Sequence, residues 1–236
     1  MSDTITSINP DTQVKIKRPN FIISAIFILP DIIYSLVTNV KNFVNNSGTP
    51  DVEISAESYK TYLAILKTSN VVGIALAVIS IMFFIGCISK TAGKNYKPFI
   101  KIYFVKQIVY GVAMAASMML QSIYGYKWVL EEHGAESAMG LQASIMPQIV
   151  MAVVMYLPVI IVGILLLAAE ISDSSSLRKA IRGLMVVNIV LSGVMFAALL
   201  LSQASAGIIA PIIIVATSIA LIVYQSNSIK MCKAEA

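Results

Sequence analysis

Asp31 is the side chain with the most chemistry to offer. It sits midway along an apolar run, Phe21 to Val40, directly after Pro30. An ionised carboxylate at that depth of a bilayer costs several kcal/mol unless it is paired, protonated or hydrated. Lys106 stands at a similar depth in a later run, with Gln107 beside it, and Asn188 lies inside a third. Two readings are open. Asp31 and Lys106 could pair along a polar path, with Gln107 and Asn188 completing a mid-membrane layer. Alternatively the pair fixes helix packing, and the Lys106 stem is free to reach toward the inner face. The segments DIIYS (Asp31 to Ser35), QIVYG (Gln107 to Gly111) and NIVLS (Asn188 to Ser192) align, each with one polar residue ahead of two β-branched ones. A true repeat would make three tandem two-helix hairpins framing a central site. Chance recurrence of common lipid-facing residues competes with it, and a rival register, GVAMAAS from Gly111 against GVMFAAL from Gly193, runs one residue out of phase.

The other reactive side chains offer less. His133, the only histidine, neighbours Glu131, Glu132 and Glu136; with no second His or Cys nearby it reads as a solvated acidic turn, not a metal site. Cys87 reads as core filling. Cys232, beside Lys230 and Lys233, is either placed for lipidation or silent. Glu170 and Asp173, close to Arg178 and Lys179, read as a solvated charge cluster, with a docking point for a cytoplasmic partner as the alternative. Pro30, Pro158 and Pro211 fall within apolar runs, where neighbouring helices absorb kinks. There is no serine–histidine pair at one depth, no metalloprotease or haem arrangement of histidines, no aspartate-rich motif and no P-loop. An enzyme, a bound cofactor or metal, and a nucleic-acid partner are therefore not expected.

The elements that must position these groups are set by composition. Of 236 residues, 58% are hydrophobic and 12% charged, about half the charge of an ordinary soluble domain. Crossing about 30 Å of hydrocarbon takes roughly 20 apolar residues in a helix. Six runs qualify: Phe21 to Val40, Asn70 to Ser89, Phe99 to Gln121, Met146 to Ala169, Leu184 to Ser202 and Gly207 to Gln225. They are too long for barrel strands and lack strand alternation. The expected fold is thus all-α, a polytopic bundle of six transmembrane helices, with a polar N-terminal segment over 1–20, the spanning domain over 21–226 and a tail over 227–236. The first run is expected to act as an uncleaved signal-anchor, because the polar segment before it has no apolar core.

Orientation follows from the basic residues. All of the 17 lysines and arginines except Lys41, Lys60, Lys67 and Lys127 fall on one side of that six-span arrangement. The positive-inside rule places that side, and both termini, in the cytoplasm. Residues 41–69 then form an outer loop whose second half, Ser55 to Ser69, sets Tyr59, Tyr62, Leu63 and Leu66 on one helical stripe suited to the membrane interface. Residues 122–145 form a second outer loop with Tyr124, Tyr126 and Trp128 at headgroup level.

Three places resemble the Yip (Ypt-interacting protein) family of small polytopic membrane proteins. They are Asn9-Pro10 with the following basic residues and Pro19, Gly93-Lys94-Asn95-Tyr96-Lys97 followed by Ile100-Lys101-Ile102, and Leu177-Arg178-Lys179-Ala180-Ile181. The chain departs from that family's five spans, and Val109 is the nearest position to an expected proline in the third helix. The resemblance implies a non-enzymatic role, through partners, in membrane organisation or trafficking, and carries over no binding residues. The expected function is a scaffold or accessory subunit of a membrane complex, with the lipid bilayer and other membrane subunits or further copies of itself as partners. The alternative is a transporter or channel subunit working through the Asp31 layer.

Overall fold

The computed structural model describes residues 4–6, 15–17, 19–47, 57–201 and 209–235. Thr4–Thr6 (β1) and Lys15–Lys17 (β2) pair as a short antiparallel ribbon with Ile5 opposite Ile16. The rest is helical: α1 Ile22–Ser47, α2 Glu57–Ile79, α3 Ile81–Thr91, α4 Lys97–Ser172, α5 Ser175–Leu201 and α6 Ile209–Glu235. Among the described residues, five helical stretches, counting α2 and α3 together, are long and apolar enough to cross a membrane.

Local chemistry sets the helix ends. The Asn20 side chain accepts the Ile22 N–H at 2.8 Å, satisfying one orphan donor at the start of α1. α2 and α3 are separated by Ser80 alone, where Phe83 N–H reaches the Ser80 carbonyl at 3.1 Å in a tightened turn. Just past the end of α3, Gly93 (φ 70°) turns the chain, with Gly93 N–H donating to Lys90 O and Lys94 N–H to Ser89 O. That pair of hydrogen bonds closes the helix and needs the left-handed backbone that glycine adopts without strain. Pro98 follows in the first turn of α4, where its missing N–H costs nothing. Between α4 and α5 only residues 173 and 174 turn: Asp173 is left-handed (φ 50°), and Ser174 Oγ accepts Leu177 N–H at 3.3 Å.

Several expected loops are helix instead. The stretch 57–69, expected to lie at the interface as a separate piece, is continuous with α2, and α1 runs on to Ser47. Residues 122–145 are helical too, interrupted at Gly134 (φ 76°, ψ 178°). Unbroken, the 76 residues of α4 would reach on the order of 110 Å. The contacts across Gly134 run in reverse order: Ser122 meets Gln148, Tyr110 meets Tyr156, and Gly111 lies against Ile160. The stretches on either side of Gly134 are therefore antiparallel where they touch. α6 continues to Glu235, through the segment expected to be a tail.

The chain divides into two compact units, Met1–Tyr34 with Ser80–Phe104 and Leu165–Ala236, and Ser35–Ile79 with Val105–Ile164. The core of the first is aromatic and aliphatic: Phe21, Ile28, Phe83, Tyr103, Phe104 and Tyr224 are fully buried. The second holds small residues at its close approaches. A Cβ on Gly111 would stand 2.5 Å from Ile160 Cγ1, and one on Gly163 2.9 Å from Ile108 Cγ1, so these glycines let backbones approach as small residues do in membranes. Large apolar side chains cover the outer faces, including Val186, Val190 and Val194 on α5 and Met151, Val154 and Met155 on α4.

Candidate functional site

The first unit gathers its charges where α3, α4, α5 and α6 come together. Glu170 is in the last turn of α4 and Arg178 in the first turn of α5; the short turn at 173–174 brings them face to face, each 1% exposed. Arg178 Nη1 donates to Glu170 Oε2 at 3.2 Å and to Gln225 Oε1 at 2.9 Å, and Nη2 donates to Asp173 Oδ1 at 3.0 Å. Tyr224, adjacent to Gln225 on α6, donates its hydroxyl to the same Glu170 oxygen at 3.0 Å. That hydroxyl accepts from Lys90 Nζ at 3.1 Å, and Lys90 also donates to Ser228 Oγ at 2.8 Å. Tyr224 and Ser228 are one turn apart, so one stripe of α6 supplies both hydroxyls that Lys90 meets.

Lys90 is 4% exposed at the end of α3. Its ammonium lies over three rings, 4.7 Å from Phe21, 4.3 Å from Tyr96 and 4.5 Å from Tyr224. An ammonium held by two hydroxyls and three ring faces recovers part of the hydration it gives up. Phe21 is fixed in turn: its N–H donates to Thr91 Oγ1 at 2.9 Å, and its ring meets Tyr224 at 5.5 Å.

Outside the spans, Asp173 links the network to solvent. Lys97 donates to it at 3.3 Å, both groups about half exposed. Partial burial pushes the Asp173 carboxyl up, but hydrogen bonds and charge from Lys97 and Arg178 outweigh this and hold it below the usual aspartate range. Within the buried part, Glu170 Oε1, Arg178 Nε and Gln225 Nε2 have no protein partner among the described residues. The arrangement is a continuous line from Lys97 through Asp173, Arg178, Glu170 and Tyr224 to Lys90. It ties four helix ends together and holds each buried charge against an opposite charge, a hydroxyl or a ring.

Glu170 and Arg178 correct the expectation of a solvated cluster, for both are buried; Asp173 and Lys179 keep their exposed sides. The short turn between α4 and α5 is the cause, since eight residues separate the two side chains and the chain reverses between them. No protein family, curated protein or solved structure matches this chain.

The expected mid-membrane layer is distributed over both units. Asp31, on α1, and Asn188, on α5, belong to the first, each partly buried; Asn188 donates to Ser218 Oγ at 3.0 Å on α6. Lys106, buried on α4, and Gln107, partly buried beside it, belong to the second; the Lys106 ammonium lies 5.3 Å from the centre of the Tyr110 ring. Cys87 is fully buried, as core filling requires, and the Cys232 thiol faces the Asp173 carbonyl at 3.9 Å.

Sequence reasoning missed Lys90, Tyr224, Gln225 and Ser228. In sequence Lys90 is one more of the basic residues that fall on the cytoplasmic side of the expected arrangement. The signal present was the polar stripe Tyr224-Gln225 and Ser228 at the end of an apolar run.

Proposed function

We propose that this chain is a non-enzymatic, six-span membrane protein that acts as a scaffold or accessory subunit of a membrane complex. The observation that carries the reading is the buried network itself. Lys90, Arg178 and Glu170 engage one another, hydroxyls and rings, leaving the outer faces of α4 and α5 apolar and suited to lipid or partner helices. A rigid inner end with apolar flanks suits a protein that works by packing. In this reading α4 crosses twice, turning at Gly134, which supplies the sixth span. The reverse-order contacts across that glycine support it, and the basic residues place both termini on the cytoplasmic side. The resemblance to the Yip family points to the same kind of role.

The test is gentle extraction from native membranes followed by native mass spectrometry. Stoichiometric protein partners are the expected result. A lone monomer or homo-oligomer retaining a small molecule would overturn it in favour of transport, and loss of flux in Asp31→Asn with folding intact would then place the path.

A further inference from the structure

The second unit carries a cavity and a groove that follow one another along α4. The cavity, about 200 Å³, is walled by the rings of Tyr62, Tyr126 and Trp128 and by Gln121, Ser122 and Gln148. Among the described residues, no acidic or basic side chain lines it. Ser122 Oγ donates to Gln148 Oε1 at 2.7 Å, Gln148 Nε2 donates to Ser144 Oγ at 3.3 Å, and Gln121 Nε2 donates to Ser117 Oγ at 2.8 Å. A primary amide has two N–H donors and a carbonyl with two lone pairs, so both glutamines keep hydrogen-bonding capacity that these bonds leave open. The Trp128 ring is braced by Tyr59 at 4.7 Å and Tyr62 at 6.2 Å. The groove, about 310 Å³, lies between Ala64, Thr68 and Val72 of α2 and Ala113, Met114 and Leu120 of α4, and is almost wholly apolar. Ser117, which lines the groove, is the residue that accepts the Gln121 amide of the cavity.

We propose that cavity and groove together hold one neutral glycolipid, its sugar in the cavity and one acyl chain along the groove. A sugar's hydroxyls both donate and accept, which matches amide and hydroxyl walls, and its C–H faces pack on aromatic rings. Rings with a polar tip belong at the depth where headgroup meets hydrocarbon. A phospholipid would fill the groove but bring its phosphate into a cavity whose described lining residues include no cation to meet it. A free sugar would fill the cavity and leave the groove empty. The proposal is independent of the scaffold reading.

Trp128 is the only tryptophan of the chain, so its emission reports on the cavity. The full chain is reconstituted in phosphatidylcholine vesicles and titrated with monoglucosyl diacylglycerol, with diacylglycerol lacking the sugar, and with free methyl glucoside. The expected result is a saturable change in Trp128 emission with the glucosyl lipid, at a concentration at least about tenfold below that needed for either other compound. Gln148→Leu, at unchanged melting temperature, should raise the half-saturation by about tenfold. Ala113→Phe should weaken the glucosyl lipid and leave the free glucoside unaffected. Equal response to plain diacylglycerol would overturn the sugar, equal response to methyl glucoside would overturn the lipid, and no response to the glucosyl lipid would overturn both. The three-compound comparison uses the unaltered protein and holds whether or not a variant folds.

Discussion

Tyr224 and Glu170 meet across 3.0 Å, the phenol of α6 donating to the carboxylate in the last turn of α4, and neither side chain reaches solvent. The same carboxylate oxygen takes Arg178 at 3.2 Å, and the phenol oxygen takes Lys90 at 3.1 Å. One hydroxyl therefore joins the ring-caged lysine to the buried ion pair.

Tyr224→Phe keeps the ring against Phe21 and Phe83 but deletes that link. The expected loss is about 1–3 kcal/mol, the cost of leaving buried partners short of a hydrogen bond. Tyr224→Ala should lose more, because the ring contacts go as well. Thermal unfolding in detergent, followed by circular dichroism, separates the two.

Arg178→Met leaves Glu170 buried without its cation. Removing one member of a buried pair costs about 3–5 kcal/mol, whereas replacing both with neutral groups is close to neutral. Arg178→Met combined with Glu170→Gln should therefore be more stable than Arg178→Met alone. Strictly additive losses in the double-mutant cycle would show that the two do not act as a pair.

Asp173 sets an acid limb. Its carboxyl is held below the usual range in the folded protein, so it stabilises the fold above its unfolded pKa of about 3.9. That contribution is lost as pH falls through the lower, folded value. Its half-exposed position keeps the effect small. The melting temperature of the unaltered protein should fall more steeply below about pH 4 than that of Asp173→Asn.

Gly111→Ala and Gly163→Ala force a methyl against Ile160 and Ile108 where the two stretches of α4 meet, and each should cost about 1–3 kcal/mol. Gly134→Ala strains a left-handed φ of 76° by a similar amount. Gly140→Ala meets nothing within 4 Å and should be neutral or mildly stabilising on helix propensity. Melting temperatures across the four variants give the order.

Cysteine labelling tests the number of crossings. In a background with Cys87 and Cys232 replaced by serine, Lys94→Cys and Arg182→Cys should react with an impermeant maleimide from one side of a sealed vesicle and Glu132→Cys from the other. Lys94 and Arg182 labelled from opposite sides would mean that α4 crosses an odd number of times.

The sequence by itself determined that this chain is helical, with stretches long and apolar enough to cross a membrane. Each spanning helix must satisfy its own backbone and present about 20 apolar residues to lipid, a requirement met within one stretch of chain and so legible there. Helix ends were less legible: helical hydrogen bonding continues past the apolar run, carrying α2 back to Glu57, α6 on to Glu235 and α4 as far as Gly134. What only the tertiary structure decided is which polar groups meet. Glu170 is eight residues from Arg178 but 54 from Tyr224, and Lys90 is 138 from Ser228. Whether such charges face water or one another depends on which helix ends converge, and no local pattern of residues encodes that. A lysine near a helix end reads the same in sequence whether it faces water or three aromatic rings; at Lys90 the packing of α3 against Phe21, Tyr96 and Tyr224 makes it the latter.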